Sequence, residues 1–189
     1  MDVIVASLVY WVSKAQVLPH MGPFDPISSD PLTSILIRLG LAASAGVVGA
    51  GAAVVPARRL WTGDVPLVVM VSLIREKDFV DVTAREAWGL LFLVAPVLGV
   101  ISQGVGIALF GIPGSPVGGI QWLQVQTLIA ASLAMITLYL GGVLVVKSRY
   151  RDDLERHPEI TRHWLVCSLV FGLGFFLTRV AMFAGLFGR

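Results

Sequence analysis

The chain reads as an all-α integral membrane protein with four transmembrane helices, plus short interfacial helices near the N-terminus and in the first cytoplasmic loop. Three observations predict it. Of the 189 residues, 56% are hydrophobic and 14% charged, against about 25% charged in a soluble domain, and the mean hydropathy is +0.84. Four apolar runs are long enough to cross a bilayer, because a helix rises about 1.5 Å per residue and the hydrocarbon core is about 30 Å thick. The basic residues gather mainly beside the ends of those runs. Residues 1–189 therefore form a single membrane domain, with spans at about 32–55, 84–110, 120–146 and 164–187.

The elements follow in order. The apolar run VIVASLVYWV stops at Lys14 and is too short to span; no cation precedes it and no small-residue cleavage site follows, so it reads as an interfacial helix near 3–14 rather than a signal peptide. A proline-rich stretch ends at Asp30 and Pro31, an N-cap followed by proline in the first helical turn. The first span, closed by Pro56, Arg58 and Arg59, carries small residues at helical spacing: Ala42, Ala45, Gly46, Gly49 and Ala53. In lipid, where packing drives helix association, such a stripe lets backbones approach closely. Next, VPLVVMVSLI is too short to cross and reads as a second interfacial helix near 65–74. Thr83 and Glu86 have capping-box spacing and start the second span, which contains Pro96 and places Gly99 and Gly106 beside Gln103. The uncharged IPGSPVGG is a hairpin turn. The third span opens with QWLQVQT, and the charged run after it ends near Pro158. In the fourth span Ser168, Gly172 and Arg179 share one face.

Orientation follows from the cations. Arg58, Arg59, Arg75, Lys77 and Arg85 lie in one connection and Lys147, Arg149, Arg151, Arg156 and Arg162 in another, while residues 111–119 carry none. The positive-inside rule makes both charged connections cytoplasmic and puts both termini on the outer side of a cell membrane or organellar inner membrane. Trp61, Trp88 and Trp164 then fall at the inner interface. Arg38, Gln103, Gln121, Gln124, Gln126 and Arg179 fall together in the outer half. An ionisable residue within a span is a functional-site candidate by default. Arg38, Arg179, Gln103 and Gln124 are accordingly the candidate contacts for a ligand, lipid or partner. Ala42, Gly46, Gly49, Ala53 and Gly172 are the candidate helix-packing residues. The plainer alternative has both arginines snorkelling to headgroups and the glutamines bonding between helices.

Other chemistry finds little footing. His157 and His163 do not share a helix face, and the single cysteine, Cys167, supports neither an intrachain disulfide nor a cysteine metal cluster, so no metal is expected. No histidine lies deep in a span to ligate haem, no nucleophile-elbow or zincin motif occurs, and no cofactor is expected. A formal charge of +2 without a basic stripe points away from nucleic acid. Three function classes remain. The favoured one is a structural or accessory subunit of a larger membrane assembly, not an enzyme, partnered by membrane lipids and by other membrane subunits or copies of itself. The alternatives are a small oligomeric channel or carrier with an anion-selective arginine site, and a membrane-embedded lipid-binding protein or enzyme.

Overall fold

The computed structural model describes residues 31–60, 62–110, 120–150 and 157–187, with side-chain burial given over 35–60, 62–109, 125–150 and 157–182. The expected helix near 3–14, the 111–119 turn and Trp61 lie outside the described residues. Among the described residues the protein is all-helical, and four helices are long and apolar enough to cross a membrane. They are α1 (Pro31–Arg59), α3 (Ala84–Phe110), α4 (Ile120–Arg149) and α5 (Glu159–Phe187), with a shorter α2 (Val65–Arg75) between the first two.

Helix boundaries outrun hydropathy. The first helix continues through Pro56 to Arg59, the fourth runs on to Arg149, and the last begins at Glu159, well before Trp164. Hydropathy marks where hydrocarbon begins, whereas backbone hydrogen bonding continues into the polar boundary. At the start of α3 a capping box closes reciprocally: the Glu86 amide donates to Thr83 Oγ1 at 3.3 Å and the Thr83 amide to Glu86 Oε2 at 3.0 Å.

Helices α1 and α4 each pack against both α3 and α5, so the order around the bundle is α1, α3, α4, α5. Neighbouring spans are antiparallel. One end of the bundle, where α1 and α4 start, is called here the polar end; the other, which holds α2, is the loop end. Glycines set the closest approaches. A Cβ at Gly46 would collide with the Ala95 carbonyl, and one at Gly99 with the Ala42 carbonyl, which locks α1 to α3 reciprocally. A Cβ at Gly49 would stand 2.8 Å from the Phe171 carbonyl oxygen, and one at Gly174 would stand 3.0 Å from Ala52 Cβ, on the α1–α5 side. Gly172 faces Met135, and Gly142 faces the Trp164 indole. Ala42 and Ala53 are also buried.

The loop end has an apolar interior of Leu67, Leu91, Leu138, Trp164 and Phe171. Here α2 differs from a helix lying only at an interface. Pro66, Leu67, Val68 and Val69 are consecutive and all buried, so protein surrounds the first turn of α2 on every side. Its far end stops at Glu76, which takes a left-handed conformation (φ 52°) and donates its amide to the Ser72 carbonyl. Trp164 also differs from an interfacial anchor. It is 1% exposed, and its indole N–H is shared between the Leu138 and Tyr139 carbonyls at 3.2 Å each. The space above Gly142 gives the ring a socket inside the bundle, so it does not sit at the lipid boundary.

Candidate functional site

Arg179 sits on α5 about two turns from the helix end, and Arg38 lies at a similar depth on the antiparallel α1. Both point inward: Arg179 is 1% and Arg38 4% exposed. The Arg179 Nη2 donates to Gln103 Oε1 on α3 at 2.7 Å, and Nη1 donates to the Arg38 backbone carbonyl on α1 at 3.1 Å. One guanidinium thus ties three helices together. A carbonyl oxygen has two lone pairs, so the Arg38 oxygen accepts this bond while α1 remains helical. Both arginines make contacts beyond these two bonds.

The layer extends around the bundle. Ser102 and Gln103 on α3, and Gln126 and Thr127 on α4, are buried at this level. On α3, Gly106 faces the Gln126 carbonyl. Gln124 and Gln121 lie on α4, but their side chains are outside the described residues. Just below, Ala42, Ala45, Ala130, Ala131 and Phe175 form an apolar cluster that separates the layer from the middle of the bundle. The Ser168 hydroxyl, buried on α5, has no hydrogen-bond partner among the described residues.

The chain matches no known protein family, curated protein or solved structure. Both arginines stay inside the bundle rather than extending to the lipid boundary, so the snorkelling alternative does not describe them. Among the described residues, the two buried cations share this level with buried amides and hydroxyls. Among the described residues of the layer, nothing resembles a nucleophile with its base.

The charged loop end is built differently. Glu86 Oε1 accepts from Arg75 at 2.6 Å and from Lys77 at 2.9 Å, all three in contact with solvent. His157 pairs with Glu159 at 3.1 Å, whereas His163 Nδ1 bonds Thr62 Oγ1 at 2.6 Å. The two histidines therefore serve separate partners, and no metal-ligating group forms among the described residues. The Thr62–His163 link joins the α1–α2 turn to α5 across 101 residues. No local sequence signal announces it; only the chain reversal brings the two residues together.

Proposed function

We propose that the protein is a structural or accessory subunit of a membrane assembly, working by association with lipid and other membrane proteins rather than by catalysis. The observation that carries this reading is how its small residues are used. Ala42, Gly46, Gly49 and Ala53 close the chain's own helix contacts and, with Phe171 and Phe175, fill its axis, which disfavours a pore through a single copy. Elsewhere α1 keeps a second, outward set: Gly40 and Ser44 are exposed, and a Cβ at Gly40 or Gly51 meets nothing within 4 Å. That smooth outer face suits a helix from another subunit.

Purification in mild detergent with mass spectrometry of what is retained tests the reading. Other membrane subunits should co-purify in fixed ratio and be lost when Gly40 and Gly51 are both changed to leucine, with the chain itself still folded. A chain that purifies alone as a stable monomer overturns it, and a homo-oligomer favours the channel alternative. For that alternative the arginines are poorly placed, since they lie within one chain's three-helix junction rather than along an opening.

The proposed topology puts the loop end in the cytoplasm and both termini outside. Its support is the clustering of cations in the connections at the loop end. On a Cys167→Ser background, a cysteine introduced by Ser148→Cys should resist an impermeant external reagent until the membrane is opened. Labelling with the membrane intact reverses the orientation.

A further inference from the structure

We infer that the loop-end edge between α1 and α5 binds the headgroup of an anionic phospholipid, with Arg58, Arg59 and Arg162 around its phosphate. The inference rests on the lipid-association part of the proposed function, and it is tested on the purified chain alone, so its failure leaves the assembly reading standing.

The loop end treats its cations in two ways. On the α2–α3 side they are neutralised within the chain, since Arg75 and Lys77 both bond Glu86. On the α1–α5 side Arg58, Arg59 and Arg162 are exposed, and none of them meets a carboxylate among the described residues. The acid closest to Arg162 in sequence, Glu159, is taken by His157 at 3.1 Å. A hydrogen bond fixes the neighbourhood: Thr62 Oγ1 lies 2.6 Å from His163 Nδ1, so the residue three beyond Arg59 touches the residue next to Arg162. Helix direction sharpens the point. Arg58 and Arg59 end α1, where the helix dipole favours cations, but Arg162 is the fourth residue of α5, close to the end where the dipole opposes them. An anionic headgroup at this edge offsets that cost, and the planar guanidinium fork matches a phosphate.

Depth and surroundings select a lipid. The 29 residues of α1 span about 44 Å, so a helix centred on a 30 Å hydrocarbon layer projects about 7 Å on each side. Arg58 and Arg59 close that helix and therefore stand in the headgroup layer, which occupies about 5 to 7 Å beyond the hydrocarbon. The last helix has the same length, and Arg162 stands about 2 Å outside the boundary. Beneath the cations both helices turn apolar side chains outward: Val55 is 58%, Val166 41% and Leu169 48% exposed. Acyl chains lie along such a surface, whereas a free phosphate has no use for it. Basic residues clustered just beyond spans attract anionic lipid for the same reason.

The test is thermal unfolding of the purified full chain in neutral detergent, titrated separately with phosphatidylglycerol, phosphatidylcholine and inorganic phosphate at matched ionic strength. Native mass spectrometry of retained phosphatidylglycerol gives a second measure that does not rely on stability. Phosphatidylglycerol should raise the melting temperature more than phosphatidylcholine. Changing Arg58→Gln and Arg59→Gln together should raise the phosphatidylglycerol needed for half the shift about thirtyfold, and Arg162→Gln alone about fivefold, as one contact per arginine near a membrane surface would give. Arg75→Gln with Lys77→Gln removes the same charge from the α2–α3 side and should leave the titration unchanged. Equal weakening by the two double variants overturns the site, because attraction to net charge would then account for the lipid. So do equal shifts by both lipids, and a shift by inorganic phosphate as large as that by phosphatidylglycerol. A phosphatidylglycerol preference absent from the parent that appears with Asp152→Asn and Asp153→Asn also overturns it, since the chain's own carboxylates would then hold the arginines.

Discussion

The two ends of the bundle handle charge in opposite ways. At the loop end Arg75 and Lys77 share Glu86 while in contact with solvent, and the interior beneath them is apolar. At the polar end the cations are inside, and the groups shown orienting Arg179 are a side-chain amide and a backbone carbonyl. Water and salt screen an exposed pair, so its geometry contributes little. A buried guanidinium has no such relief, and every donor needs an acceptor of the right shape. The same residue type is therefore a topological signal at one end and a structural and chemical centre at the other.

The largest effect should come from the α1–α3 crossing that holds the two ends in register. Gly46→Leu drives a side chain into the Ala95 carbonyl, which is backbone and cannot swing away. The cost should be about 3 kcal/mol or more, enough to lose folded protein in detergent. Gly40→Leu, on the same helix with nothing within 4 Å of its Cβ, should melt like the parent when the chain is isolated. Equal melting of the two variants would show that the α1–α3 contact does not set the bundle.

The four spans were legible because nothing else explains apolar runs of that length. Their ends were less so, since helices overhang the hydrocarbon: α5 begins at Glu159, not near Trp164. Arg38, Gln103 and Arg179 could be placed in one layer by counting along antiparallel spans, because position along a helix converts directly to depth. Which atoms meet was not legible. That Arg179 reaches the carbonyl of Arg38 depends on the rotation of α1 and α5 about their axes, which the glycine contacts fix. Trp164 shows the same limit: tryptophan at a span end suggests an interfacial anchor, but Gly142 on the facing helix opens a socket that no local pattern reveals. The short apolar α2 could be recognised as a helix too short to span, yet its insertion into the bundle depends on room between α3 and α4.

Two intermediate changes sharpen the contrast between the ends. Gln103→Leu removes a neutral acceptor from a buried guanidinium and should cost about 2 kcal/mol, because a hydrogen bond to a charged group is lost where water does not replace it. Chemical denaturation in detergent measures it; Gln103→Glu, which adds the opposite charge, should recover much of the loss. At the loop end Trp164→Phe keeps an aromatic ring but drops the shared N–H bond to Leu138 and Tyr139, and should cost about 1 kcal/mol. A larger loss for Trp164→Phe than for Gln103→Leu would place the most constrained part of the interior at the loop end instead.

The smallest expected effect is at Glu86. Its carboxylate accepts from Arg75, Lys77 and both the amide and hydroxyl of Thr83, so contact number alone would make Glu86→Gln the most damaging change of all. Exposure argues the reverse. The Arg75 side chain is 57% exposed and that of Lys77 41%, so water takes over when the ion pairs are lost, and the amide of glutamine still accepts from the Thr83 backbone, as a capping box allows. Glu86→Gln should therefore lower the melting temperature less than either interior change, and the difference from the parent should shrink as salt is raised, since screening has already weakened the pair being removed. Gln103→Leu should show no such salt dependence, because its partner is out of reach of ions. If Glu86→Gln proved as costly as Gln103→Leu and as indifferent to salt, the loop-end cluster would be buried in the assembled protein, and the contrast between the two ends would belong to the isolated chain only.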